Sequence, residues 1–173
     1  MTAPSGAGHL PLPRWAYVPG EPEKSSADYE TLAQITALVP PRFGGYVPAR
    51  HPALRYGLTL NDRGYFWEAQ EILEAVWAAA PQGGRERILL RACIQIANAN
   101  LRLRMLKVRA AARLLGEALG ELKALGLRKA VAGGDGFADG FPTAELAEVL
   151  KAKLAQPMLS KADWVKFGVV SRA

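Results

Sequence analysis

Two groups of polar side chains in this chain are spaced to share a helix face. In the stretch Tyr65–Ala80, Trp67, Gln70, Glu71 and Glu74 fall within a sector of about 100° when successive residues turn by about 100°. Glu71 and Glu74 are like charges three residues apart, a small cost on an isolated helix that a positive partner would relieve. The following apolar run, ILLRACIQIANANLRLRML from Ile88, carries Arg91, Gln95, Asn98 and Arg102 at spacings of 4, 3 and 4. They form one polar stripe about 16 Å long at a rise of about 1.5 Å per residue. Polar groups that enter a helical bundle are costly unless paired. The two stripes are therefore expected to face each other, with Arg91 or Arg102 on the carboxylates and Gln95 and Asn98 completing the hydrogen bonds.

Three roles fit such a juxtaposition. Closed, it is an ion-pair network that sets helix register. Open and walled by Trp67, it is a polar inter-helix site for a small ligand, and the chain reads as a non-enzymatic ligand-binding or interaction module. With Glu71 or Glu74 in an open cleft and a raised pKa, it becomes a carboxylate-dependent hydrolase, possible with metal assistance. Whether any reaction is catalysed stays open, and so does the case in which one or both stripes face water.

The remaining reactive residue types suggest less. Cys93 is the single cysteine, which excludes an internal disulfide framework and a cysteine zinc cluster. It sits in an apolar run and reads as a small core residue. His9 and His51 lack a second histidine nearby, so neither suggests a metal pair or a supported general base. DGFADG at 135–140 lacks the alternating ligands and terminal Glu of an EF-hand and reads as turns. No phosphate-binding loop, dinucleotide fingerprint or nucleophile triad is present, and Gly83-Gly84 reads as an ordinary turn between helices. No cofactor is expected.

The elements that would position these residues follow from composition. Of 173 residues, 30 are Ala and 23 are Leu, while aromatics are 8%, a mixture that favours helices. Nine of the 12 prolines fall in residues 1–52, and only Pro81 interrupts Ala53–Ala132. Because proline blocks helix interiors, the chain divides into a Pro-rich arm with one short helix over 1–50, a helical bundle core over 51–126, and a Gly/Asp loop with a C-terminal helix packing on the core over 127–173. In the arm, Ser26 would cap a helix over Ala27–Val39, in which Tyr29, Leu32, Ile35 and Val39 recur at helical spacing. Residues 10–20 would form an extended strap whose Trp15 and Tyr17 pack on the body.

The body reads as helices over Pro52–Asp62, stopped by Gly64; Tyr65–Ala80, ended by the Pro81 turn; Arg85–Met105; Val108–Leu125; and Ala144–Leu154, capped by Thr143. Phe66, Ala69, Leu73, Val76 and Trp77 form the core stripe of the second of these. Trp164 and Phe167 suggest one more short turn in the tail. Short links between long helices give antiparallel neighbours, so the fold class is all-α, an up-and-down antiparallel helical bundle.

Charge limits the partners. Net charge is +6. Residues 85–113 hold eight basic side chains against Glu86, whereas 61–80 hold Asp62, Glu68, Glu71 and Glu74 against Arg63. Nucleic-acid binding through 85–113 is an alternative, but the Arg102–Arg113 turn lacks interleaved aromatics and mutual neutralisation is the simpler reading. No apolar run reaches the roughly 18–20 residues of a membrane span, and the N-terminus lacks a secretory signal pattern. A cytoplasmic protein with no membrane partner is expected. An unknown small ligand or protein partner and a homo-oligomer remain open.

The stretch RYGLTLNDRGYFWEAQEILEAVW, followed by LLRACIQIANANLRLRM, resembles the bacterial and archaeal family catalogued as domain of unknown function 309, over roughly residues 51–125. The resemblance implies a small all-helical, up-and-down bundle and no known activity. Its pattern falls on Gly64, Tyr65, Phe66, Trp67, Glu68, Ala69, Glu71, Glu74 and Trp77, with Gln95 in the next helix. Where the family usually has His, this chain has Gln70. His-Glu-x-x-Glu would invite a metal; with Gln70 only Glu68, Glu71 and Glu74 remain, and no metal is expected. Gln70 fits a hydrogen-bonding role instead.

Overall fold

The protein is described by a computed structural model, in which residues 10–21, 27–130 and 133–168 are described. Its elements are α1 (Tyr29–Thr36), α2 (Pro52–Asp62), α3 (Phe66–Ala79), α4 (Arg85–Arg104), α5 (Val108–Gly126), α6 (Phe137–Gly140), α7 (Thr143–Leu154) and a 3₁₀ turn, Lys161–Asp163. No strand is present among the described residues; a single antiparallel bridge joins Pro48 to Gly136. The all-α expectation holds. Helices α2, α3, α4 and α5 pack serially on one another, and α7 packs on α5.

Local chemistry sets the helix limits. Pro52 occupies the first turn of α2, and the His51 Nδ1 accepts from the Ala53 N–H at 3.2 Å, an N-cap made by an imidazole. Gly64, at φ 90°, turns the chain from α2 into α3. The core is centred on α4, where Leu89, Cys93, Ile96 and Leu103 are fully buried, and burial pushes the Cys93 thiol up. Cys93 is thus the core residue its apolar setting implied.

Several boundaries differ from expectation. The arm helix is shorter, and its cap is Asp28, which accepts from the Thr31 N–H; Ser26, like His9, lies outside the described residues. Leu32 and Ile35 are buried, but Tyr29 is 61% exposed, because α1 ends after two turns and buries only a narrow stripe. Thr143 starts α7 without capping it, since its hydroxyl donates to the Phe141 carbonyl. DGFADG is more than turns. It docks by hydrogen bonds from Phe137 N to Val47 O and from Ala49 N to Asp135 O, and buries Phe137 and Ala138 in α6.

The α4–α5 turn is closed by Leu106 N to Leu103 O and Lys107 N to Arg102 O. This closure requires a left-handed residue, usually glycine. Here it is Leu106, at φ 63° and 71% exposed. Leu106→Gly removes steric strain and little contact, so it is expected to raise stability by about 0.5–1 kcal/mol. Urea denaturation checks this, and an unchanged or lower midpoint would refute the strain argument.

His51 offers a second test. It packs edge-on against Phe43 at 5.1 Å, and burial holds its pKa below the ordinary value against the opposing pull of the Leu38 carbonyl. The folded state therefore disfavours protonation. This contribution is complete above the unfolded pKa of about 6.5 and is lost as pH falls below it through the lowered folded value. Raised carboxyls elsewhere titrate with the opposite sign, so the comparison is with His51→Asn, which keeps a cap and does not titrate. Wild type should lose stability relative to this variant between about pH 7 and 5. At pH 7, His51→Ala should cost about 1 kcal/mol, read by urea denaturation.

Candidate functional site

The two predicted stripes are not brought together. Helix α4 lies between α3 and α5, and its polar edge turns toward α5. The Arg91 Nε is 3.4 Å from the Glu121 carboxylate, and the Gln95 Nε2 donates to Glu117 at 3.3 Å. A step of four residues along α4 meets a step of four back along antiparallel α5. Glu71 and Glu74 are exposed on α3 and make no ion pair with α4 among the described residues. Partial burial raises both carboxyls, and Glu74 adds to the shift at Glu71. Gln70 turns back to the Phe66 carbonyl, while Asn98 and Arg102 are half-buried. Trp67 packs against the rings of Tyr17 and Tyr29 rather than walling a site between α3 and α4. The spacing was helical in both stripes, but it could not say which neighbour α4 would face.

The acidic stretch does not neutralise the basic one either. Arg85, Arg91, Arg104 and Arg113 pair with Asp139, Glu121, Glu21 and Glu117. Those acids come from α6, α5 and the arm. Half of the eight basic side chains over 85–113 are thereby committed to carboxylates.

Two buried polar groups of α3 and its neighbours instead hold the termini. Glu68 is fully buried. Its Oε2 accepts from the Tyr17 N–H at 2.7 Å, its Oε1 has no partner among the described residues, and burial raises its pKa. Residues 10–21 lie along the body through this bond and through Tyr56, whose hydroxyl donates to the Pro11 carbonyl. At the other end of α2, the Asn100 Nδ2 donates to Asn61 Oδ1 at 2.7 Å and to the Val165 carbonyl at 2.8 Å, while the Val165 N–H donates to Asn100 Oδ1 at 2.7 Å. Asp62, its pKa raised by burial, accepts from the Phe167 N–H. One amide thus satisfies both backbone groups of a tail residue. The signal was legible: Leu89, Cys93, Ile96, Asn100 and Leu103 recur at 4, 3, 4 and 3, so Asn100 is the one polar member of a core stripe.

Among the described residues, the surface cavities include three of note. One of about 200 Å³ adjoins this junction, between Phe66, Trp164, Arg104 and Lys161. A second, about 290 Å³, separates the start of α5 from the segment after α7. The third is about 390 Å³ and polar, lined by Arg42, Phe43, Ala78–Ala80, Pro81, Gln82 and Arg87. Its geometry is fixed from both sides. The Phe43 N–H donates to the Ala79 carbonyl at the end of α3. The Arg87 guanidinium lies 4.0 Å from the Trp77 ring centroid, and its Nη1 donates to the Ala80 carbonyl at 3.0 Å. Neither Arg42 nor Arg87 pairs with a carboxylate among the described residues. Sequence reasoning missed both: Arg42 lies in a proline-rich stretch, and Arg87 entered only as one of the eight basic side chains over 85–113. Among the described residues, no cluster of three His, Cys, Asp or Glu could hold a metal ion, and no helix is long and apolar enough to cross a membrane.

The fold and these cavities define an all-helical bundle whose central helices carry the motif residues Gly64 to Trp77. Residues 54–114 match the family described as domain of unknown function (DUF309). The match runs from the first turn of α2 through α3 and α4 into α5. It leaves the arm, α6, α7 and the tail outside. No curated protein and no solved structure matches the chain.

Proposed function

We propose that the protein is a binding module for a small anionic ligand carrying a phosphate or carboxylate group, seated between Arg42 and Arg87. The observation that carries this reading is the pair of guanidinium groups lining a polar cavity of about 390 Å³ without a carboxylate partner. That volume falls within the range of about 300–1,000 Å³ typical of small-molecule sites. Arg87 is half-buried and immobilised by Trp77 and the Ala80 carbonyl. A guanidinium already held in place loses less freedom on gripping an anion, and its planar fork suits two oxygens. Arg42 supplies a second, more exposed charge, and Gln82 adds hydrogen-bonding capacity on the rim.

The test uses inorganic phosphate and acetate as probes, followed by the indole resonance of Trp77 and the Nε–H resonances of arginine. Saturable shifts should appear at Trp77 and Arg87. Arg42→Gln leaves the fold intact, because Arg42 is exposed and makes no hydrogen bond that the fold needs; it should weaken binding at least about tenfold, equivalent to about 1.4 kcal/mol. Arg87→Lys keeps the charge but loses the fork and should weaken phosphate more than acetate. Equal binding by wild type and Arg42→Gln, or shifts spread over all surface arginines, would sink the proposal.

A further inference from the structure

The chain carries a second feature that the anion site does not use, at the end where the α4–α5 turn meets the C-terminus of α7. We infer that this end is a docking surface for an acidic amphipathic helix of a protein partner. The groove of about 290 Å³ there is lined mainly by apolar groups, with Val108 and Ala112 on α5 facing Leu154, Pro157 and Leu159. Two large apolar side chains are exposed in the segments that form this end. Met158 lines the groove and is 73% exposed. Leu106, two residues before Val108, is 71% exposed on a left-handed backbone that glycine would adopt more easily. The left-handed backbone closes the turn, but the apolar side chain that it presents to water is one that glycine would spare, and covering it would give that side chain a use.

Charge selects the partner's chemistry. Arg109 and Lys153 line the groove, and Lys107 is exposed at the same turn. Asp163 lies 4.0 Å from Lys153 and is itself engaged, accepting from Ser160 and Gln156. The surface therefore presents an apolar centre with a cationic rim, and complementarity requires an apolar stripe flanked by acids. The secondary structure selects the partner's form. Among the described residues there is no sheet edge for an extended peptide to join, and an apolar groove between helix ends suits a helix that lays its apolar face into it.

The probe is a synthetic helical peptide with leucines at i, i+3, i+4 and i+7 and glutamates between them, followed by fluorescence anisotropy with the full chain. Binding is expected, and it should weaken as salt rises. Leu106→Gly is the informative variant, because it should fold at least as well as wild type yet bind at least tenfold more weakly. Met158→Ser should lose a similar factor. A peptide of the same composition with shuffled leucines should bind at least tenfold more weakly. The inference is overturned if both groove variants bind like wild type. It is equally overturned if the shuffled peptide binds as well, which would mean charge alone, or if sedimentation shows a dimer that Met158→Ser dissolves, which would mean a second copy covers this surface.

Discussion

Replacing Asn100 by leucine is expected to cost about 3–5 kcal/mol, a large part of the 5–15 kcal/mol typical of a domain. The side chain is fully buried and makes three short hydrogen bonds, two to the backbone of Val165 and one to Asn61. Leucine keeps the four-atom branched skeleton, so the change removes the polar partners without leaving a cavity and adds some overpacking. The Val165 N–H and the Asn61 Oδ1 would be left without these partners in a dry interior, each at about 1–3 kcal/mol. The Val165 carbonyl keeps its bond from the Asn61 Nδ2. Because the tail is held chiefly here and at Asp62, the variant should also release residues 161–168, seen as faster tryptic cleavage after Lys161 and Lys166. A loss under about 1 kcal/mol by urea denaturation, with the tail still protected, would show that water replaces the amide and that the junction is not the anchor described.

The second large effect is expected at Gly57, in the middle of α2. An added Cβ would lie 2.8 Å from Leu73 Cδ2, 3.0 Å from Leu73 Cγ and 3.3 Å from Ile72 Cγ2. Leu73 and Ile72 are fully buried, so neither side chain has open space to enter. Glycine inside a helix is otherwise a cost of about 1 kcal/mol relative to alanine, and it is present here because α2 and α3 approach too closely for a side chain. Gly57→Ala regains that propensity and loses more to overpacking, for a net loss of about 1 kcal/mol. Gly57→Val has no such compensation and should lose about 3 kcal/mol. Thermal and urea unfolding read both, and a valine variant as stable as wild type would mean that α2 and α3 can separate freely.

The sequence made the order of helices legible because that information is local. Proline density separated residues 1–52 from the body, Pro52 and Gly64 bracketed α2, and apolar periodicity placed α3, α4 and α5 to within a residue or two. The buried row of α4 was also written in the chain, Asn100 included. Less legible were the caps. Asp28 and His51 serve where Ser26 was expected or no cap was considered, because which side chain reaches a free N–H depends on backbone angles that residue type does not state. Val47 and Ala49 anchor a loop some ninety positions away, a pairing that no local pattern records.

By itself, the sequence determined that Arg91, Gln95, Asn98 and Arg102 share a face, and that Glu71 and Glu74 share another, since both follow from the pitch of a helix. Only the tertiary structure decided that Arg91 and Gln95 answer Glu121 and Glu117, that Glu71 and Glu74 stay in water, and that Arg42 and Arg87, 45 positions apart, line one cavity. The physical reason is that α4 has two helical neighbours of similar apolar character. Rotation about its axis is set by how the whole set of buried side chains interlocks, including the tail that Asn100 holds. Periodicity fixes angles within a helix, and packing alone fixes the angle between helices.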